Sequence, residues 1–95
     1  MLFRSAKYFS EALKTENCKL AELSLEDNSI APEGAKYLSD ALKSENCKLI
    51  ELDIRFNKLK DQGANLLIQA MKYENCKLTK LKICGNNIKI GRAHV

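Results

Sequence analysis

Thiols and carboxamides are the side chains with chemistry to offer in this chain, and their spacing is unusual. Cys18, Cys47 and Cys76 recur at steps of 29 residues, while Cys84 stands apart. Thiolates are soft donors that hold zinc, so three of them stacked in neighbouring layers could share a metal. Zinc sites, however, are built on closely spaced cysteine pairs, and three equal long steps contain none. The steps describe instead a ladder of small apolar side chains placed just before each strand. Asn28, Asn57 and Asn86 keep the same step and resemble active-site amides, but each ends a strand, where an inward amide satisfies the donors and acceptors of the turning backbone.

Nucleophilic catalysis needs a serine or cysteine beside a base, usually histidine. The only histidine is His94, in a terminal hexapeptide that departs from the rest of the pattern. No catalytic, metal-binding or cofactor-binding residue is therefore expected. Gly34 and Gly63 begin helical stretches without the Gly-x-Gly or Gly-Lys-Ser/Thr context of a phosphate loop, and close packing is their expected use. Cys84 is placed at the outward end of the third strand, with Lys82 the one neighbour able to lower its pKa.

The elements that position these residues follow from self-similarity. Leu20-Ala-Glu-Leu23-Ser-Leu25-Glu-Asp-Asn28-Ser-Ile30 lies over Leu49-Ile-Glu-Leu52-Asp-Ile54-Arg-Phe-Asn57-Lys-Leu59, and over Leu78-Thr-Lys-Leu81-Lys-Ile83-Cys-Gly-Asn86-Asn-Ile88. A period of 20 to 50 residues means stacked repeats. Leu23 and Leu25 alternate with Glu22, Ser24 and Glu26, the mark of a strand with one buried face. Ala6, Phe9, Ala12 and Leu13 recur at helical steps, as do Ala35, Leu38, Ala41 and Leu42, and Ala64, Leu67, Ala70 and Met71. Pro32 and Glu33 suit a helix's first turn. Strand, helix and equivalent strand in one orientation require parallel pairing with right-handed crossovers. The expected fold is an α/β solenoid, strands on a concave wall and helices on a convex one.

With 95 residues there is room for one small domain with a thin core. A net charge of +4 arises from lysines spread along the whole chain, which does not suit a nucleic-acid site. No apolar run is long enough for a secretory signal or a membrane span. Cysteines kept as repeat positions rather than disulfides point to a reducing, cytoplasmic setting.

Leu-x-x-Leu-x-Leu/Ile-x-x-Asn-x-Ile/Leu rows, with Gly-Ala and a full helix in each 29-residue unit, resemble the ribonuclease-inhibitor-like class of leucine-rich repeats from Ala6 to Ile88. That resemblance implies a right-handed horseshoe segment that binds a protein partner and does no chemistry. It also implies, as an alternative, a regulatory or substrate-positioning fragment of a larger enzyme or GTPase regulator. The repeats are expected over 1–89: a partial unit 1–19, units 20–48 and 49–77, and a partial unit 78–89. The chain is expected to begin inside a repeat, to lack capping units, and to self-associate through exposed repeat ends. Ile90-Gly91-Arg92-Ala93-His94-Val95 abandons the pattern and matches the translation of a common sequencing adapter, so 90–95 is expected to be a non-native tail.

The concave wall carries the candidate partner-binding residues: Glu22, Glu26, Glu51, Asp53, Arg55, Phe56, Lys80 and Lys82. Polarity runs from acidic to basic across it. Neighbouring strands bring Glu51 opposite Lys80, Asp53 opposite Lys82, and Glu26 opposite Arg55. These charges either meet a partner or simply pair with one another. Phe56 is either an exposed hot spot at the rim or packs down beside Asn57. Tyr8, Tyr37 and Leu66 share a helical column expected to be partly buried.

Overall fold

Residues 20–48 and 49–77 each fold as a short strand followed by a helix. The computed structural model describes residues 3–89, as helices α1 (Phe3–Leu13), α2 (Ala31–Leu42) and α3 (Lys60–Ala70) alternating with strands β1 (Glu22–Ser24), β2 (Glu51–Asp53) and β3 (Lys80–Lys82). The strands form one parallel sheet in the order β1-β2-β3, and α2 packs between α1 and α3. Residues 90–95, expected to be a non-native tail, lie outside the described residues, and His94 with them. Among the described residues, no helix is long and apolar enough to cross a membrane.

The register is the one that the repeat demands. Glu22 aligns with Glu51 and then Lys80, Leu23 with Leu52 and Leu81, and Ser24 with Asp53 and Lys82. Strands of only three residues are marginal alone, and backbone bonds beyond them extend the pairing: Leu25 N–H donates to Asp53 O (2.8 Å) and Ile54 N–H to Lys82 O (2.9 Å). The chain then turns through alternating left-handed residues. Asp27, Ser29 and Ala31 have φ of 60, 53 and 67°, matched by Phe56, Lys58 and Lys60 at 58, 59 and 59°, and by Gly85 and Asn87 at 74 and 58°. Each such residue costs about 1–2 kcal/mol when it carries a Cβ. The repeat must hold them by other bonds, among them Ala31 N–H to Asn57 O and Lys60 N–H to Asn86 O, both 2.8 Å.

Pro32 sits in the first turn of α2 and Glu33 faces its positive end, as expected. The two helical glycines let the helices approach. A Cβ on Gly63 would stand 3.3 Å from Ala35 Cβ and Pro32 Cα of α2, and one on Gly34 would stand 3.3 Å from Ala6 Cβ of α1 and overlap Ile30. Beneath the helices lies a core of Leu25, Ile30, Leu38, Leu42, Leu49, Leu52, Ile54, Leu59 and Leu67, all buried.

Burial falls away at both ends of the stack, because a row needs neighbours on both sides to cover its leucines. Leu52 is fully buried while Leu23 and Leu81 are half-buried, and Leu20 is 41% exposed where Leu49 is buried. Ala12, expected in the core stripe, is exposed although Ala41 and Ala70 are buried. Tyr8, expected to be partly buried with Tyr37 and Leu66, is 63% exposed, since no helix packs on that side of α1 among the described residues. The cysteine ladder follows the same rule: Cys47 is buried, Cys18 and Cys76 are half-buried, and all are free thiols.

Candidate functional site

Alternation along three aligned strands turns Leu23, Leu52 and Leu81 inward and leaves one polar outer face. Glu22, Glu26, Lys80 and Lys82 are exposed on it, and Glu51 and Arg55 are half-covered. The gradient from acidic β1 to basic β3 is therefore real in space. Lys80 Nζ lies 3.7 Å from Glu51, and Arg55 lies 3.4 Å from Glu26, the two pairings expected from register.

Asp53 departs from expectation. It aligns with Lys82, yet Lys82 reaches diagonally to Glu51 at 3.4 Å, and Asp53 is held by Arg55 of its own strand. Arg55 Nε donates to Asp53 Oδ1 at 2.9 Å, a terminal guanidinium nitrogen donates to Oδ2 at 2.8 Å, and the Arg55 backbone N–H donates to Oδ1 at 3.2 Å. A planar guanidinium matches both carboxylate oxygens at once, which a single lysine ammonium does not. Asp53 is consequently buried beneath Arg55, not an exposed charge of the face. The guanidinium's hydrogen bonds hold the Asp53 carboxyl below its ordinary value, against the opposing effect of burial. The same bonds raise Arg55 above the usual guanidinium range.

Phe56 rises beside this cluster. Its backbone φ of 58° is left-handed and its ring is 49% exposed. The ring lies on Gly85 of the next row, so closely that a Cβ at Gly85 would overlap ring atoms Cδ1 and Cε1. Sequence reasoning placed Phe56 at the rim but missed its seat. The available signal was a glycine at the position where the first two rows carry Asp27 and Phe56. Cys84, next to that glycine, is exposed.

The asparagines behind the face are structural. Asn57 Oδ1 accepts from Asn28 N–H (2.8 Å) and Ile30 N–H (3.2 Å), and its Nδ2 donates to Leu25 O (2.8 Å), Arg55 O (3.0 Å) and Ile54 O (3.1 Å). Asn86 repeats this one row on, accepting from Asn57 N–H (2.7 Å) and Leu59 N–H (3.1 Å) and donating to Ile83 O (2.7 Å) and Ile54 O (3.0 Å). Each amide thus ties its own turn to the preceding row. Among the described residues, no group of three or more His, Cys, Asp or Glu side chains is arranged to hold a metal ion.

A family model described as Leucine Rich repeat matches residues 16–39 and 45–67, which take in β1, the loop after it and most of α2, then β2 and most of α3. No curated protein matches the chain. Repeats of this family generally mediate protein–protein interaction.

Proposed function

We propose that this leucine-rich-repeat protein is a non-catalytic recognition module whose rows form a right-handed solenoid and whose strand face is the concave surface that docks a protein partner. The observation that carries the proposal is Phe56, an aromatic residue half-exposed at the rim of a charged face with its ring packed on Gly85. A ring packed against a neighbouring row has less conformational freedom to lose on binding than one free in solvent, and aromatic side chains are common anchors of interfaces. Glu22, Glu26 and Glu51 form an acid-rich side around the Arg55–Asp53 pair, and Lys80 and Lys82 a basic side.

The fitting partner is a protein segment of opposite polarity, basic toward β1 and acidic toward β3, with an apolar side chain for the ring. Asp53 acts through Arg55, whose guanidinium it orients. The remaining ion pairs of the face each join a half-covered side chain, Glu51 or Arg55, to an exposed one and contribute under about 1 kcal/mol each to stability, so their charges are available to a partner at small cost. Four free thiols suit a reducing intracellular compartment.

A partner identified by crosslinking in cells is the material for the test. Phe56→Ala and Arg55→Ala should each weaken its binding by about tenfold or more, while Lys36→Ala on an exposed part of α2 leaves it unchanged. Equal binding by all three variants would place the interface elsewhere.

A further inference from the structure

The middle row keeps two large apolar side chains exposed, Ile50 at 48% and Phe56 at 49%, and they bracket β2. Rows stand on both sides of them: the repeat sets Ala21 and Thr79 beside Ile50, and Asp27 and Gly85 beside Phe56. Their exposure therefore belongs to the row itself. The backbone turns Ile50 outward. Its N–H and that of Glu51 both donate to Ala21 O, at 2.7 and 3.0 Å, two residues against one as in a bulge, while Leu49 and Leu52 on either side are buried. We infer that the partner segment is an amphipathic α-helix laid along β2, with one apolar side chain on Ile50 and a second, about three turns away, on Phe56. This rests on the strand face being the docking surface proposed above.

Hydrogen bonding and dimensions both select a helix. β2 is paired along both edges, with β1 and with β3, so its main-chain groups are taken and a segment lying on the face must satisfy its own. A helix brings its backbone bonds with it, whereas an extended segment gains such bonds only at a free sheet edge. Six residues of chain lead from Ile50 to Phe56, at most about 20 Å when extended. Three turns of helix rise about 16 Å and return a side chain to the same face. The width agrees as well: strands about 4.8 Å apart put β1 and β3 about 10 Å from one another, the diameter of one helix.

Charge fixes what the helix carries on its flanks. Over β2, one flank lies above Glu22 and Glu26 and the other above Lys80 and Lys82, all four exposed. The occupant is therefore basic along one flank and acidic along the other, with its apolar stripe between them. Beneath the stripe, Glu51 is already paired with Lys80 and Lys82, and Arg55 with Asp53, so the helix covers no unpaired charge there.

Labelled synthetic peptides titrated against the full chain, read by fluorescence anisotropy, test this. The first sets two leucines about three turns apart on one helical face, with lysines along one flank and glutamates along the other. A second moves the leucines to about two and a half turns apart, on opposite faces, and a third breaks the first with a central proline. The first should bind at least about tenfold more tightly than either of the others, and should weaken about tenfold on Ile50→Ala as on Phe56→Ala. Alanine already stands at the Ile50 position in the first row, as Ala21, so Ile50→Ala should fold, which circular dichroism checks. Should it not, Ile50→Thr, after Thr79 of the third row, takes its place. Equal binding of the three peptides, no binding of the first, or binding that the Ile50 variant leaves unchanged would each overturn the inference. The strand-face reading is decided separately, on the crosslinked partner: binding lost with Phe56→Ala but kept with Ile50→Ala upholds that reading and discards the helix along β2.

Discussion

Phe56 rests on Gly85 in the neighbouring row, and the absence of a Cβ there is what gives the ring its seat. Gly85 also has φ of +74°, so two separate constraints favour glycine. Gly85→Ala should cost about 1–2 kcal/mol for the backbone conformation alone, and more for displacing the ring. Replacing Phe56 by alanine removes the second contribution. In urea denaturation, Gly85→Ala should therefore be milder in the Phe56→Ala background than in the wild type; equal costs would mean that the two residues are not coupled.

Asn57 and Asn28 share a repeat position but not an environment. Asn57 is fully buried and makes five side-chain hydrogen bonds, so its loss leaves several backbone groups unpaired. Asn57→Ala should destabilise by about 3–5 kcal/mol, enough to unfold so small a domain. Asn28→Ala should cost under about 1 kcal/mol. Thermal melts of the two variants, compared with wild type, check the asymmetry.

The Arg55–Asp53 pair makes stability depend on acid. The Asp53 carboxyl lies below its ordinary value of 3.8 in the folded chain because Arg55 donates to it. The unfolded chain then binds the proton more readily than the folded one. This contribution is fully present above the ordinary carboxylate value and is lost as pH falls through the depressed folded value. Asp53→Asn should flatten that part of the profile, so urea midpoints between about pH 6 and pH 3 should fall less steeply in the variant than in wild type. Parallel profiles would assign the acid sensitivity to other carboxylates.

Thiol reactivity should separate the cysteines. Burial pushes the Cys47 thiol above its ordinary value of 9.0, so it is shielded and protonated at neutral pH. Cys84 is exposed. Under native conditions iodoacetamide should modify Cys84 first and Cys47 last, with Cys18 and Cys76 between them, as read by peptide mass spectrometry over time. Equal rates for Cys47 and Cys84 would contradict the packing of the cysteine ladder. Because the folded chain holds the Cys47 proton more tightly, this group's stabilising contribution is present below the unfolded thiol's pKa and lost as pH rises through the folded value.

The 29-residue spacing by itself determined which residues align. Leu23, Leu52 and Leu81 had to share a register, the asparagines had to end their strands in a ladder, and the charges had to run from acidic to basic. The reason is that side chains alternate across a strand and recur along a helix with fixed periods, so an exact repeat carries direction as well as position. Tertiary structure alone decided what lies beyond the Cβ atoms. Several partners lie within reach of each long side chain, and the choice depends on shape: Arg55 takes Asp53 because its planar fork matches both oxygens, leaving Lys82 to Glu51. Phe56 falls onto Gly85 because space opens there. Tyr8, Ala12 and Leu20 show the same limit in reverse, since an apolar residue in a stacked fold is buried only where a neighbouring row arrives to cover it.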